Sequence, residues 1–121
     1  MTLEERHALV KSYLGKMVEI KIDRPIGYVH KKGEKVLHYP INYGYIEGVL
    51  GGDGEELDVY LLGVDHPVDE YKCKIIGIVY RENDVEDKLI AAPENSSFTK
   101  EQIEQAIHFQ EKYYQTHVET I

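Results

Sequence analysis

Cysteine is almost absent from this chain of 121 residues. Cys73 stands alone, which excludes an internal disulfide and a zinc site built from thiolates. A chain so poor in thiols suits a reducing compartment. Positive charge is also short, with 14 Lys+Arg against 22 Asp+Glu and a formal charge of -8. That balance argues against a broad basic face for nucleic acid, so a polyanionic ligand would need metal ions or a local group of cations. Long apolar runs are missing too: the longest, around Ile75 to Tyr80, is far too short to cross a bilayer. Met1-Thr-Leu-Glu-Glu-Arg-His carries neither a basic n-region nor an apolar h-region. These shortages predict a cytoplasmic protein with no membrane partner. Only 4 Pro and 10 Gly accompany 42% hydrophobic and 30% charged residues, which excludes collagen-like and disordered chains. No repeat or linker divides the chain, so a single domain over residues 1–121 is expected. At this size, roughly two-thirds of the unfolded surface is buried.

What is present reads as helix, about five strands, helix. Thr2 and Glu5 form a capping-box pattern, in which each side chain satisfies a free backbone N–H at a helix start. Leu3, Leu9, Val10 and Leu14 continue it, and Gly15 is a stop. Val18, Ile20 and Ile22 alternate with Glu19 and Lys21, as a half-buried strand does. Arg24-Pro-Ile-Gly ends that strand, and His30 to Lys35 reads as a loop or hairpin tip. Val36 to Tyr45 is strand-like but interrupted by Pro40 and Gly44, which predicts a bent or edge strand. Gly48 to Glu56 is a loop, and Leu57 to Leu62, Lys74 to Tyr80 and Lys88 to Ala92 are strands. Thr99 and Gln102 repeat the capping box, with Ile103, Ala106, Ile107, Gln110 and Tyr114 following at helical spacing. Short strands, glycine loops and few helices favour a small closed barrel, because closure removes exposed sheet edges.

Chemistry concentrates in Gly51-Gly-Asp53-Gly-Glu55-Glu56-Leu57-Asp58, four carboxylates within six residues. Such crowding repels itself unless cations or protons intervene, and Mg²⁺, a hard ion that prefers oxygen ligands, is a natural solution. A solvated acidic hairpin loop is the plainer reading of the same residues. A second acidic group, Glu82-Asn-Asp84-Val-Glu86-Asp87-Lys88, also runs directly into a strand. It is either a charged turn neutralised by Lys88 or the other half of a metal pocket at one end of a barrel. If the two loops converge, phosphoryl transfer fits, since metals and a lysine neutralise phosphate oxygens. Tyr39-Pro-Ile-Asn-Tyr43-Gly-Tyr45 offers phenols that donate to phosphate without adding charge, or else a packing face.

Three blocks, Tyr39-Pro-Ile-Asn-Tyr-Gly-Tyr-Ile, Asp53-Gly-Glu-Glu-Leu-Asp58-Val and Asp87-Lys88-Leu-Ile-Ala-Ala-Pro, closely resemble the signature blocks of soluble family I inorganic pyrophosphatases, in the same order. The resemblance runs from about Val18 to Tyr114. It implies a mainly β fold: an OB-like five-stranded barrel with an N-terminal and a C-terminal helix. It also implies Mg²⁺-dependent hydrolysis of pyrophosphate or a related phosphoanhydride, with Mn²⁺ as a possible replacement. Carried over by position, Asp53, Asp58, Glu86 and Asp84 are implied metal ligands. Asp58 and Glu55 would act near the attacking water, and Tyr39 and Lys88 beside the reacting phosphate. Tyr43, Tyr113 and Lys88 are implied phosphate contacts, with Arg24, Lys31, Lys32 or Lys35 supplying further positive charge and Lys31 at the distance before Tyr39 of a phosphate-binding arginine.

The departures from the pattern are equally specific. Glu55, Glu86 and Arg81 stand where the family usually has aspartates, and Tyr114 where it has a lysine. The segment between Ile22 and Tyr39 is short enough that a site-bearing hairpin is expected to be missing. A non-catalytic or altered-specificity relative that binds a phosphorylated ligand or a protein partner is the alternative, because fold and function can separate. A nucleic-acid-binding barrel is disfavoured by the charge of -8. The family commonly assembles, so a homo-oligomer is possible.

Overall fold

The computed structural model describes all 121 residues. At the N-terminus, the Thr2 hydroxyl accepts from the Glu5 N–H at 3.1 Å, and Glu5 Oε1 accepts from the Thr2 N–H at 2.9 Å. This reciprocal cap starts α1 (Leu3–Tyr13), whose one fully buried residue is Val10. The next elements are β1 (Met17–Arg24), β2 (Val29–Lys32), β3 (Lys35–His38), β4 (Asn42–Leu50) and β5 (Glu56–Leu61). After them come β6 (Glu70–Arg81), β7 (Lys88–Ala92), α2 (Lys100–Glu111) and β8 (Thr116–Thr120). Thr99 and Gln102 form the second capping box at the start of α2.

The strands run in the order β1-β4-β5-β7-β6, and β6 returns to pair with β1 from Met17↔Lys74 to Lys21↔Glu70, which closes a five-stranded barrel. β5 and β7 are parallel; the other barrel pairs are antiparallel. Closure demands a close approach at Gly44, where a Cβ would lie 1.8 Å from the Lys21 carbonyl oxygen. The long β6 spends its first residues on β1 and its last, Gly77 to Arg81, on β8.

Side-chain alternation divides the interior into two clusters. Ile20, Val59, Leu61, Cys73, Ile75, Ile78, Leu89 and Ala91 belong to one, with Val10 of α1 packed in. Tyr43, Tyr60, Ile76, Val79, Ile90 and Ala92 turn to the other face, where they meet Ile103 and Ile107 of α2. Each face is therefore read from every second residue of β5 and β7.

The expected barrel and its two helices are present, with four corrections. Residues 29–38 do form a hairpin, short but complete, with Gly33 at φ 63 in its turn. Val36 to Tyr45 is two strands, broken at Pro40, and β4 is paired on both sides rather than lying at an edge. α2 ends at Glu111, so Tyr113 and Tyr114 sit in the turn beyond it. An unforeseen strand, β8, then follows, so the second helix is not the last element.

Candidate active site

Asp58 and Tyr60 of β5, Lys88 of β7 and Tyr43 of β4 all point out of the barrel wall, towards α2 and the β2–β3 hairpin. Asp58, Lys88 and Tyr43 line a cavity of about 330 Å³, and Tyr60 is buried behind it. The Lys88 side chain is 2% exposed, and its Nζ donates to Asp58 Oδ2 at 2.8 Å and to Glu86 Oε1 at 2.9 Å. Burial opposes its charge, but the surrounding oxygens of Tyr43, Asp58 and Glu86 outweigh that and hold its pKa above the ordinary lysine value. The Tyr43 hydroxyl donates to the same Asp58 oxygen at 2.9 Å. Two carboxylates far apart in the chain thus meet at one ammonium, as the convergence of the two acidic loops requires.

The loops are joined in a second place. A Cβ on Gly52 would lie 2.2 Å from the Val85 carbonyl oxygen, so the first loop packs directly on the second. From the far side, Arg6 of α1 donates to both oxygens of buried Asp87, at 3.0 and 2.8 Å, and to the carbonyls of Asp84 and Arg81. Asp87 also accepts the Arg81 N–H at 3.1 Å, so it holds the turn and has no part in the cavity.

Arg81 carries most of the unexpected geometry. Its guanidinium, 2% exposed, meets Glu111 through both oxygens (2.9 and 2.7 Å), Asp84 at 3.0 Å and Glu86 at 3.4 Å, and lies 3.7 Å from the centre of the Tyr114 ring. Burial opposes this charge, and the Glu111 carboxylate more than compensates, so the group stays ionised. With four of its five N–H donors engaged, Arg81 neutralises the pocket acids rather than receiving an outside anion.

The opposite wall is basic. Arg24 donates once, to the Tyr39 hydroxyl at 2.6 Å, and otherwise lies among the rings of Tyr28, Tyr39 and Tyr43 at 5.5–5.9 Å. His30, Lys32, Lys35 and Leu37 of the hairpin share the cavity face, since His30 pairs with Leu37 and Lys32 with Lys35. Lys31, one residue out of phase, faces away and is not at the cavity, which corrects the expectation that it supplies the missing cation. Tyr113 lines the rim beneath Lys35, 4.6 Å from its ring centre.

The implied metal ligands divide in the same way. Burial, with the Asp53 and Asp58 carboxylates nearby, pushes Glu86 up to about 7 against the pull of Lys88. Mg²⁺ is commonly held by one or two carboxylates plus substrate oxygens. Asp53 and Glu86 are hard donors that fit this requirement, Glu86 on the cavity and Asp53 in the exposed loop beside it, while Asp58 keeps its Oδ1 free of partners. Asp84 does not fit, because its oxygens are taken by Arg81 and by the Val85 N–H. No group of three or more His, Cys, Asp or Glu side chains is arranged to hold an ion by itself. Glu55 lies exposed in its loop, outside the cavity, with its N–H bound to Asp53 Oδ1.

A model of the inorganic pyrophosphatase family matches residues 15–119. The chain belongs to the inorganic pyrophosphatase family. A family relative from Campylobacter jejuni is 28% identical over 94 residues, covering 72% of this chain and 54% of its own length. Another from Rickettsia prowazekii is 32% identical over 83 residues, with 63% and 48% covered. The chain therefore spans about half the length of the curated relatives it matches. Among solved structures, an inorganic pyrophosphatase from Ehrlichia chaffeensis superposes with TM-score 0.67 at 18% identity, covering 89% of this chain and 88% of that one. One from Neisseria gonorrhoeae gives 0.62 at 22%, covering 82% and 74%. At those identities the likeness establishes the family barrel.

Within that barrel, three cavity residues escaped the sequence reading of the site, Asp23, Gln110 and the clamped Arg81, and so did Glu111, which holds Arg81 from behind the cavity. Asp23 ends the alternating run of β1 and lines the cavity, and desolvation raises its pKa. The period of two in β1 was the signal that could have found it. Gln110 and Glu111 carry no such signal, because polar residues in a helix are ordinarily its solvent face.

Proposed function

We propose that this protein hydrolyses inorganic pyrophosphate to two phosphates as one domain of residues 1–121, with Mg²⁺, or Mn²⁺ in its place, as the cofactor. The carrying observation is the division of one cavity into an acidic wall (Asp58, Glu86, Lys88) and a basic wall (Arg24, Lys32, Lys35). Asp53 and Glu86 would hold the ion, which supplies Lewis-acid screening of phosphate oxygens when bound. Lys88 and Arg24 bind and orient the two phosphoryl groups. Asp58 Oδ1, free of partners, takes a proton from the attacking water as the new P–O bond forms and the bridging P–O bond breaks. The second phosphate leaves towards Arg24, Lys32 and Lys35, whose fixed charges stabilise the growing negative charge; a single such donor commonly contributes about a hundredfold or more in rate. The remaining members of the carried-over set have lesser roles: Tyr39 and Tyr43 shape the pocket, and Tyr113 closes its rim. The reading also includes a cytoplasmic setting and neither nucleic acid nor membrane as partner.

The test is phosphate release from pyrophosphate with Mg²⁺, Mn²⁺ or EDTA, for the wild type and Asp58→Asn. Metal-dependent turnover that falls about a hundredfold or more in the variant is the expected result. Folded protein with the same background in every condition would favour the binding relative instead.

A further inference from the structure

Between the two arginines of the cavity runs one continuous chain of buried hydrogen bonds. Arg24 donates to the Tyr39 hydroxyl at 2.6 Å, and Tyr39 donates to Gln110 Oε1 at 2.5 Å. Gln110 Nε2 donates to the Tyr60 hydroxyl at 2.8 Å, Tyr60 donates to Glu111, and Glu111 receives Arg81. Tyr39 and Tyr60 are almost fully buried, and Gln110 and Glu111 are buried with them. The chain has a direction: each hydroxyl accepts one bond and donates the next. Burial, with the Glu111 carboxylate beside it, raises the Tyr60 pKa well above the ordinary phenol value, so that hydroxyl remains a donor.

Only a side chain with an acceptor at one end and a donor at the other can stand between Tyr39 and Tyr60 in this chain. An amide does so, and its orientation follows from those two partners. Glutamate would offer two acceptors beside Glu111, and an apolar residue would offer none. An amide set in an apolar layer is costly unless both ends are bonded, as they are here. Arg24 differs from Arg81 in what it has left over. Tyr39 is its one hydrogen-bond acceptor, so its remaining N–H groups are free to meet a ligand in the cavity. Arg24 forms no ion pair, whereas Arg81 forms three.

We propose that Gln110 is a positioning residue for anion recognition: through Tyr39 it fixes Arg24 as the receptor for the second phosphate, and through Tyr60 and Glu111 it registers that receptor against the Arg81 wall. The spacing of the two walls, and hence selection of a diphosphate over a single phosphate, is then set from α2. This inference rests on the diphosphate reading of the cavity.

The experiment measures binding of methylenediphosphonate and of inorganic phosphate, by calorimetry with Mg²⁺ present, for the wild type, Arg24→Met, Gln110→Leu and the double variant. The Arg24 Nε–H signal is followed by NMR in the wild type and in Gln110→Leu. Gln110→Leu should weaken diphosphonate binding about tenfold, the scale of one charge-assisted hydrogen bond, and phosphate binding much less. The double variant should bind no more weakly than Arg24→Met alone. The Arg24 Nε–H signal should be sharp in the wild type and broadened in Gln110→Leu. Wild-type affinity in Gln110→Leu, or losses that multiply in the double variant, would overturn the proposal, and so would an unchanged Arg24 signal. A role confined to packing would lower thermal stability and leave that signal and the diphosphonate preference intact. If Gln110→Leu does not fold, Tyr39→Phe cuts the same chain at its next link and carries the same expectations. If the wild type binds no diphosphonate while the Arg24 signal still responds to Gln110, the diphosphate reading and receptor role fail but the positioning chain stands.

Discussion

Replacing Glu111 by alanine removes both bonds to a guanidinium that is almost wholly out of water, together with the acceptor for Tyr60. Breaking a buried ion pair from one side costs about 3–5 kcal/mol, because the other charge stays behind uncompensated. Here Arg81 keeps Asp84 at 3.0 Å and Glu86 at 3.4 Å, which places the cost at the lower end, about 3 kcal/mol. With about 2.1 cal/mol/K of unfolding entropy per residue, 121 residues give about 0.25 kcal/mol/K, so the melting temperature should fall by about 12 °C. Calorimetry on the metal-free protein reads that shift, and urea unfolding with an unchanged m-value shows that stability rather than compactness has moved. Glu111→Gln should recover part of the loss, because its amide oxygen still accepts one Arg81 bond. A fall of about 4 °C or less would mean the pair contributes no more than a surface ion pair, about 1 kcal/mol, and the argument from burial would be wrong.

Asp84→Asn should leave Mn²⁺ affinity within about twofold of the wild type by calorimetry, whereas Glu86→Gln should weaken it by about tenfold or more, the scale of a lost charged ligand. Equal losses would return Asp84 to the ligand set. Lys32→Ala should raise KM for pyrophosphate several-fold, while Lys31→Ala should leave it unchanged. The reverse ranking would mean the hairpin presents its other face. Burial pushes the Cys73 thiol up to about 12. The unfolded chain then loses this proton near the ordinary thiol value while the folded chain keeps it, so stability falls as pH rises above about 9. Urea midpoints between pH 8 and 10 should decline more steeply for the wild type than for Cys73→Ala.

Where a feature of the fold depends on near neighbours, the sequence carried it. Thr2 with Glu5, and Thr99 with Gln102, announce their helices because the cap is made within four residues. Leu57, Val59 and Leu61 announce β5 because alternation is local. β8 escaped because Thr116 to Thr120 is mostly polar and owes its strand to the free edge of β6. Asp58 and Lys88 were legible through their spacing within signature blocks, and the cavity does bring them together. Lys31 and Lys32 could not be separated, because a one-residue register set by the turn at Gly33 decides which of them faces the site. The Arg81–Glu111 clamp joins residues 30 positions apart, and no periodicity in either segment reports it.

α1 touches none of the cavity, yet all four bonds made by the Arg6 side chain end on the turn that delivers Glu86 and Lys88. The helix works as an outrigger, bracing that turn from a distance. Its evolutionary freedom should therefore be very uneven: most of its solvent-facing positions can drift, whereas one arginine is tied to the fortunes of a carboxylate and an ammonium it never meets. Anyone trimming this protein to its barrel would keep the pocket's residues and lose the stay that holds them in place.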